Sequence, residues 1–169
     1  MDAGLVLLRL VIGPLMAAHG AQKLFGWFGG YGLTGTGGFF EQLGFRPGRA
    51  FAAAASVTEI SSGVLVTLGL LGPVGPALMI SVMVVAALSV HRPHGVFAQN
   101  NGIEVPLLYA VSAAALALTG YGAYSLDRAL GLTPLWTPTL TWGVLAVGAI
   151  GGFVNAGLRR PAVQTPAHA

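Results

Sequence analysis

The segment "LLRLVIGPLMAAHGAQKLFG" (Leu7–Gly26) decides the fold class, because it combines a long apolar run with three basic side chains. A helix that crosses the hydrocarbon core of a bilayer needs about 20 predominantly apolar residues. The run from about Gly4 to Leu24 meets this length, although Arg9 interrupts it. His19 and Lys23 stand one helical turn apart near its end, before the chain breaks into glycines and aromatics. We therefore predict a transmembrane helix that ends in polar side chains at a membrane boundary.

The composition of the whole chain supports an integral membrane protein. Of its 169 residues, 54% are hydrophobic and 8% are charged, whereas soluble domains carry about 25% charged residues. The net charge of +3 comes from eight scattered Lys and Arg residues, which favours membrane topology signals over a nucleic-acid partner. The chain has no cysteine, which excludes disulfides, thiol chemistry and cysteine metal sites.

Five apolar runs predict an all-α membrane bundle, and the third and fourth of them are short for a span. The runs are about Gly4 to Leu24, Arg49 to Leu70, Gly75 to Val90, Glu104 to Thr119 and Leu140 to Leu158. "GPVGP" (Gly72–Pro76) predicts a tight turn between the second and third runs. No cleavable signal peptide is predicted, since a basic segment does not precede the first run.

The distribution of basic residues predicts an orientation. With five spans, the first loop, the third loop and the C-terminal tail share one side of the membrane, and this side carries Lys23, Arg46, Arg49, Arg92, Arg159 and Arg160. The other side carries Arg128. The positive-inside rule then predicts an external N-terminus and a cytoplasmic C-terminus in the plasma membrane. The orientation changes if one of the short runs does not insert.

Two charged residues fall inside predicted spans, Arg9 in the first and Glu59 in the second. Such a charge costs roughly 2.5–3.5 kcal/mol on insertion scales, so these residues usually face the bundle interior or a wet cavity. The two spans are antiparallel neighbours, and a long arginine could bridge most of the difference in depth. The sequence leaves open whether Glu59 is a structural partner of Arg9 or a functional group.

The other polar residues near the Lys23 side suggest a pocket. We expect its mouth to be formed by His19, Lys23, His91, Asn101 and Glu104, with Glu59 at its floor. Simpler roles stay open, because Lys23 can snorkel to the headgroups, His19 can be a packing residue, and Glu104 suits a helix N-terminus. The scattered histidines are a weak metal signal, and no metal site is predicted.

The first loop, Phe25 to Gly48, contains nine glycines and seven aromatic residues, Trp27 among them. This composition is typical of an interfacial or re-entrant segment whose rings lie at headgroup level. "TGTGGFFEQLGF" (Thr34–Phe45) predicts a short surface helix. "GYGLTG" (Gly30–Gly35) matches a dinucleotide-binding spacing, but it follows a membrane helix instead of a strand, so that function is rejected.

Four segments in this order resemble the DoxX family of small membrane proteins. They are the opening helix with its His-Gly-x-x-Lys-Leu-Phe-Gly ending, "SVTEISSGVLVTLGLL" (Ser56–Leu71), the loop around "HRPHGVFAQNNGIEVPLLY" (His91–Tyr109), and "GYGAYSLDRAL" (Gly120–Leu130). The resemblance implies a four-helix core in residues 1–130. Residues 131–158 then add a fifth membrane helix, and residues 159–169 form a polar tail that is expected to be disordered.

The resemblance also implies redox work beside the quinone pool, since founding members of the family look like subunits of thiosulfate:quinone oxidoreductase. Carried over by motif, the positions of interest are Arg9, His19, Lys23, Glu59, Ser125 and Asp127. Ser125 and Asp127 also suit a plain capping role at a short helix start.

Two main hypotheses of function follow. In the first, the protein is an oxidoreductase subunit that holds a quinone-like or other lipophilic redox molecule. Glu59 and His19 act as its catalytic proton-exchanging groups, and substrate binding involves Arg9, Lys23, Trp27, His91, Asn101 and Glu104. In the second, the protein is a non-catalytic membrane scaffold that recruits soluble redox enzymes. Transport of a small solute is a third possibility. The expected partners are the lipid bilayer and redox enzymes, and small-residue faces would permit a homo-oligomer.

Overall fold

A computed structural model describes residues 1–160, and this part of the chain is all-α. Its α-helices are α1 (Asp2–Phe25), α2 (Gly32–Gln42), α3 (Gly48–Leu68), α4 (Val74–Ala86), α5 (Glu104–Thr119), α6 (Leu126–Ala129) and α7 (Pro138–Gly157). The prediction of an all-α membrane bundle is confirmed. The predicted disorder of the tail from residue 161 onward concerns residues outside the described part.

The long helices match the predicted runs to within about two residues at each end. The exception is the third run, which was expected to be short. In the structure α4 continues through a π-turn (Ala87–His91) and a 3₁₀-turn (Arg92–His94). The continuous segment Val74–His94 is therefore long and apolar enough to cross a membrane, as are α1, α3 and α7. Helix α5 has 16 residues, which corresponds to about 24 Å.

Helix α4 lies at the centre of the bundle, where it packs against α3, α5 and α7, while α1 packs along α3. The core between them is formed by Ile12, Met16, Val66, Met79, Met83, Ala113, Leu116 and Tyr121. Helix α2 belongs to the predicted interfacial loop and packs against α3. Its Phe40 joins Phe45 and Ala52 in a second buried cluster.

Glycines allow the helix pairs to approach closely. A Cβ atom built on Gly20 of α1 would lie 2.6 Å from the Ser56 carbonyl oxygen of α3, which is too close for any side chain. On α7, Gly148 and Gly152 meet the backbone of α4 in the same way. Small residues at four-residue spacing let membrane helices approach in this way.

The outer surface of the bundle is apolar. Large hydrophobic side chains are exposed along the outward faces of the helices, for example Leu10, Val64, Leu108, Val147 and Phe153. A water-soluble protein rarely exposes apolar surface on this scale. In a bilayer these side chains contact lipid, which accounts for their distribution.

The bundle has two ends, which we name after the cations of α1 that lie there. At the Arg9 end, α1 begins and α3 and α5 finish. At the Lys23 end, α1 and α7 finish and α3 and α5 begin. The six basic residues that were predicted to share one side of the membrane all lie at or beyond helix termini of the Lys23 end, and Arg128 lies at the other end. The grouping of these residues agrees with the prediction, whereas the direction in which the bundle inserts stays a prediction.

Candidate functional site

Arg9 binds backbone carbonyl groups at the Arg9 end. Its guanidinium donates to the carbonyl oxygens of Val66 (3.1 Å) and Thr67 (2.9 Å) in the last turn of α3. It also donates to those of Tyr121 and Tyr124, at 2.9 Å each, in the segment after α5. The last carbonyls of a helix have no intrahelical donor, so Arg9 satisfies these groups and ties α1, α3 and the α5–α6 segment together.

The predicted approach of Arg9 to Glu59 is therefore wrong. The Arg9 side chain points towards the end of α3 instead of its middle. Its guanidinium donates there to two carbonyl oxygens of α3 and to two of the segment after α5. The guanidinium also lies 5.5 Å from the centre of the Tyr121 ring, a geometry that favours a cation–π interaction. Burial, reinforced by the nearby Asp127 carboxylate, raises the pKa of the Tyr121 phenol.

Ser125 and Asp127 stabilise the turns of the same end. Ser125 is the N-cap of α6, where its hydroxyl accepts from the Arg128 amide at 3.2 Å. The buried Asp127 carboxylate accepts from the amides of Leu71 (2.8 Å) and Gly72 (2.6 Å). The turn between α3 and α4 is thus held by the segment before α7. The capping role that the sequence offered for Ser125 is confirmed, and Asp127 holds a different turn from the one expected.

The partner of Glu59 is Lys23. The Lys23 ammonium donates to Glu59 Oε1, and the two groups form an ion pair. Glu59 lies in the middle of α3 with its side chain 3% exposed, while the Lys23 side chain is 32% exposed. The second oxygen, Oε2, is buried and has no hydrogen-bond partner among residues 1–160. A buried carboxylate oxygen without a hydrogen-bond partner lowers the stability of the fold. Glu59 is therefore a candidate for a functional role.

Glu59 and Lys23 line a cavity of about 240 Å³ between α2, α3, α4 and α7. Much of its wall is aromatic and aliphatic, with Phe39, Phe40, Phe45, Phe51 and Val85. Its remaining polar residues are Thr58, Ser81, Ser89, His91 and Asn155. Apolar walls with a few convergent polar groups are typical of small-molecule sites.

The π-turn of α4 forms one wall of this cavity. It contributes Ser89 and His91, and π-turns inside α-helices are frequent at functional sites. The hydroxyl of Ser89 is buried and, within the described part of the chain, has no hydrogen-bond partner. The Nδ1 atom of His91 donates to the Asn101 carbonyl oxygen at 2.8 Å, because a carbonyl can only accept. In the neutral ring this leaves Nε2 as an acceptor.

The predicted mouth of the pocket is only partly correct. Lys23 and His91 line the cavity with Glu59, whereas His19, Asn101, Glu104 and Trp27 lie outside its wall. Glu104 begins α5 and accepts from the Ala98 amide at 2.8 Å, which closes the loop before the helix. Trp27 is 59% exposed and packs on Phe25 with the ring centres 4.9 Å apart, as expected for an interfacial aromatic residue.

His19 lies on the outer side of the ion pair. Its exposed ring meets Tyr109 of α5 edge-on, with the ring centres 6.2 Å apart. The Tyr109 hydroxyl is in turn within electrostatic range of the Glu59 carboxylate. His19 itself does not line the cavity.

Lys23 also separates the cavity from a second, larger space. A groove of about 620 Å³ lies between the end of α1 and α2, with Gln22, Tyr31, Thr36 and Gln42 among its lining residues. Lys23 and Phe39 belong to both walls. The ion pair therefore stands at the boundary between the enclosed cavity and the more open groove.

Sequence reasoning missed several residues of the site. Ser89, Tyr109, Asn155 and the phenylalanines of α2 and α3 were not singled out. A signal existed for the phenylalanines, since "GGFF" in the glycine-rich loop places large rings beside positions where a helix can approach closely. Ser89 had none, because an irregular turn decides where its hydroxyl lies.

The fold and this site define a multi-pass membrane helical bundle with a buried ion pair beside an internal cavity. The DoxX family model matches residues 4–92, which cover α1 to the end of the π-turn. The match covers more than half of the chain, and the chain belongs to the DoxX family. Comparison with curated proteins and with solved structures gave no match.

Proposed function

We propose that this protein is the membrane-embedded subunit of a redox system and binds a quinone-like lipophilic molecule in the cavity beside Glu59. The observation that carries the proposal is the buried Glu59 side chain in the middle of α3, which lines an aromatic-walled cavity and has one oxygen on Lys23 and the other without a hydrogen-bond partner in residues 1–160. A purely structural ion pair does not require such a cavity. The flat ring of a quinone can pack against the phenylalanine side chains of the wall. In this proposal the apolar tail of the quinone extends from the cavity into the bilayer.

The chemistry assigned to the site is proton exchange. Conversion of a quinone to its quinol takes two electrons and two protons. In this proposal Glu59 exchanges protons with the bound ring, and Lys23 stabilises anionic forms of the ring. Tyr109 and His19 connect Glu59 with the surface, and the imidazole of His19 can both donate and accept a proton. The electrons pass to or from a partner redox enzyme that docks on the bundle.

Binding can be tested with a short-chain quinone and the protein in lipid nanodiscs. Ala54 lines the cavity and is exposed, so Ala54→Phe narrows its mouth without disturbing the core. Ala50, one turn earlier on α3, is also exposed and lies outside the cavity wall. We expect calorimetry to show at least tenfold weaker binding for Ala54→Phe and an unchanged affinity for Ala50→Phe. A wild-type protein that does not bind the quinone, or equal binding by all three proteins, would refute the proposal.

A scaffold role is the second candidate, and the loop between α4 and α5 favours it. Residues 92–100 are all exposed at the Lys23 end, and Val96 and Phe97 expose 56% and 63% of their surface. Pull-down of a redox enzyme that Phe97→Ser abolishes and Ala54→Phe leaves intact would support recruitment without quinone chemistry. Solute transport stays a prediction, and flux into liposomes tests it.

We also propose that the protein lies in the plasma membrane with the Lys23 end in the cytoplasm. The concentration of basic residues at this end supports the orientation. Because the chain has no native cysteine, single cysteines at Ala98 and Arg128, both exposed, are suitable probes. In intact cells, we expect a membrane-impermeant maleimide to label Arg128→Cys and to spare Ala98→Cys until the cells are opened. The reverse pattern contradicts the orientation.

A further inference from the structure

We infer that the cavity beside Glu59 selects the reduced, dihydroxy form of its ring ligand over the quinone form. This inference rests on the proposed function and specifies its ligand. It starts from two residues of the cavity wall, Glu59 and Ser89, each of which has a buried polar atom without a hydrogen-bond partner within residues 1–160, namely Glu59 Oε2 and Ser89 Oγ. A ligand that fits the site has to satisfy both.

The Glu59 carboxylate demands a donor. Paired with the Lys23 ammonium through Oε1, the ionised group can only accept hydrogen bonds at Oε2. The two oxygens of a quinone ring are carbonyls, which are also acceptors, so a quinone carbonyl facing Oε2 would be repelled. A quinol carries two hydroxyl groups, and one of them can donate to Oε2. Hydrogen bonds to charged acceptors are about twice as strong as neutral ones.

The other polar residues of the cavity wall do not reverse this preference for the quinol. The Ser89 hydroxyl can donate or accept, so it is compatible with either form of the ring. His91 offers Nε2 as an acceptor when its ring is neutral, since Nδ1 donates to the Asn101 carbonyl. Lys23 is the donor that could favour a quinone carbonyl. Oε1 takes one of its three N–H donors, and the side chain is about one-third exposed and also lines the groove, where water competes for the other two donors.

Preferential binding of the quinol has a redox consequence. It raises the midpoint potential of the bound quinone–quinol couple, because the reduced form is stabilised relative to the oxidised form. For a two-electron couple, each tenfold ratio of affinities corresponds to about 30 mV. The bound quinone is then a stronger oxidant than the free one, and it is suited to take electrons from a donor.

The test compares the dissociation constants of a short-chain quinol, kept reduced under anaerobic conditions, and of the matching quinone. We expect the wild-type protein in nanodiscs to bind the quinol at least tenfold more tightly. Glu59→Gln should lower this ratio to about threefold or less, because a carboxamide can donate to a quinone carbonyl. Ser89→Ala should weaken the binding of both forms by a similar factor. Glu41→Gln is the matched control, since Glu41 is exposed and lies outside the cavity wall.

The outcomes separate the two proposals. If neither form binds the wild-type protein, the proposed function fails. If both forms bind equally, or the quinone binds more tightly, the proposed function stands and this inference is overturned. A ratio that Glu59→Gln leaves unchanged also overturns the inference. Should Glu59→Gln fail to fold, the wild-type ratio still decides, because its value alone tests the stated preference.

Discussion

The two cations of α1 have different surroundings, because Arg9 is buried among backbone carbonyls whereas Lys23 is about one-third exposed and pairs with a buried carboxylate. Arg9 donates four hydrogen bonds to backbone carbonyls and lies against the Tyr121 ring. Lys23 bonds to Glu59, whose second oxygen faces the interior without a partner in the described residues. The Arg9 guanidinium is thus satisfied by backbone carbonyl oxygens, whereas the Lys23–Glu59 pair leaves one carboxylate oxygen without a partner in the described residues.

The difference follows from the chemistry of the two side chains. The guanidinium of arginine is a rigid fork of five donors, which suits several carbonyl oxygens at a helix terminus. The ammonium of lysine is a compact charge on a flexible stem. The Lys23 ammonium can therefore move away from Glu59 when a ligand or a proton binds to the carboxylate. The Arg9 guanidinium cannot move without leaving several backbone carbonyl oxygens without this donor.

The largest effect is expected from Arg9→Met. The substitution removes the Arg9 donor from four carbonyl oxygens. The Val66 oxygen still accepts from the Gly69 amide, but the oxygens of Thr67, Tyr121 and Tyr124 lose the donor that Arg9 supplies, and each unsatisfied buried group costs about 1–3 kcal/mol. We expect the free energy of unfolding to fall by about 3 kcal/mol or more, as measured by denaturant unfolding in detergent micelles. Arg128→Met, at an exposed position of the same end, is the control and should change it little. Equal stability of the two variants would remove the structural role given to Arg9.

Helices α1 and α3 pack closely along their length, and Gly63→Ala tests this contact. A Cβ atom at Gly63 would lie 2.5 Å from both the Ala17 nitrogen and the Gly13 carbonyl oxygen. Overpacking of this kind costs about 1–3 kcal/mol. The control is Gly143→Ala on α7, where a Cβ would meet no atom within 4 Å in the described part of the chain. It should be neutral or slightly stabilising, and the same unfolding experiment measures both variants.

The Lys23–Glu59 pair is best tested by a double-mutant cycle. Lys23→Met leaves a buried carboxylate without its cation, and Glu59→Gln leaves an ammonium that can reach the groove. We expect Lys23→Met to be the more destabilising single change, and the double variant to recover part of the loss. The coupling should be about 1–2 kcal/mol, within the range for contacting residues. A coupling near zero would show that the ion pair does not stabilise the fold.

The smallest effect is expected from Ser125→Ala. Loss of an N-cap side chain costs about 1 kcal/mol, and α6 is short and lies at the end of the bundle. The unfolding midpoint should therefore shift slightly, and binding of a quinol or quinone at the other end should be unchanged. A change in ligand affinity would break the separation between the two ends.

Much of the fold was predictable from the sequence, because the length and polarity of apolar runs are local properties. The run Glu104–Thr119 coincides with α5, and the other long helices begin and end within about two residues of the predicted runs. The length of α4 was underestimated. His91, Arg92 and His94 look like loop residues in the sequence, but the helix continues through them as a π-turn and a 3₁₀-turn.

The site was less predictable, because pairing depends on the rotation and tilt of each helix. Depth along the spans made Arg9 a reasonable partner for Glu59, but depth does not say which way a side chain points. The contact of Gly20 with Ser56 sets the register of α1 on α3, and this register brings Lys23 to Glu59. The sequence identified Glu59 and Lys23 as candidates and could not show that they bind each other.

Helix α7 contributes to the cavity although it lies outside the segment that the family model matches. Helix α7 lies beyond residues 4–92, the part matched by the family model, and yet Asn155 contributes to the wall of the cavity. The Arg160 amide also donates to the Gly44 carbonyl oxygen at 2.8 Å, which joins the segment after α7 to the segment after α2. A chain shortened before Pro138 would retain Lys23 and Glu59 but lack the α7 wall of the cavity, so acyl chains of the bilayer could contact the cavity from that side. Under the proposed function, substitutions in α7 can therefore change ligand selectivity while the segment matched by the family model stays unchanged.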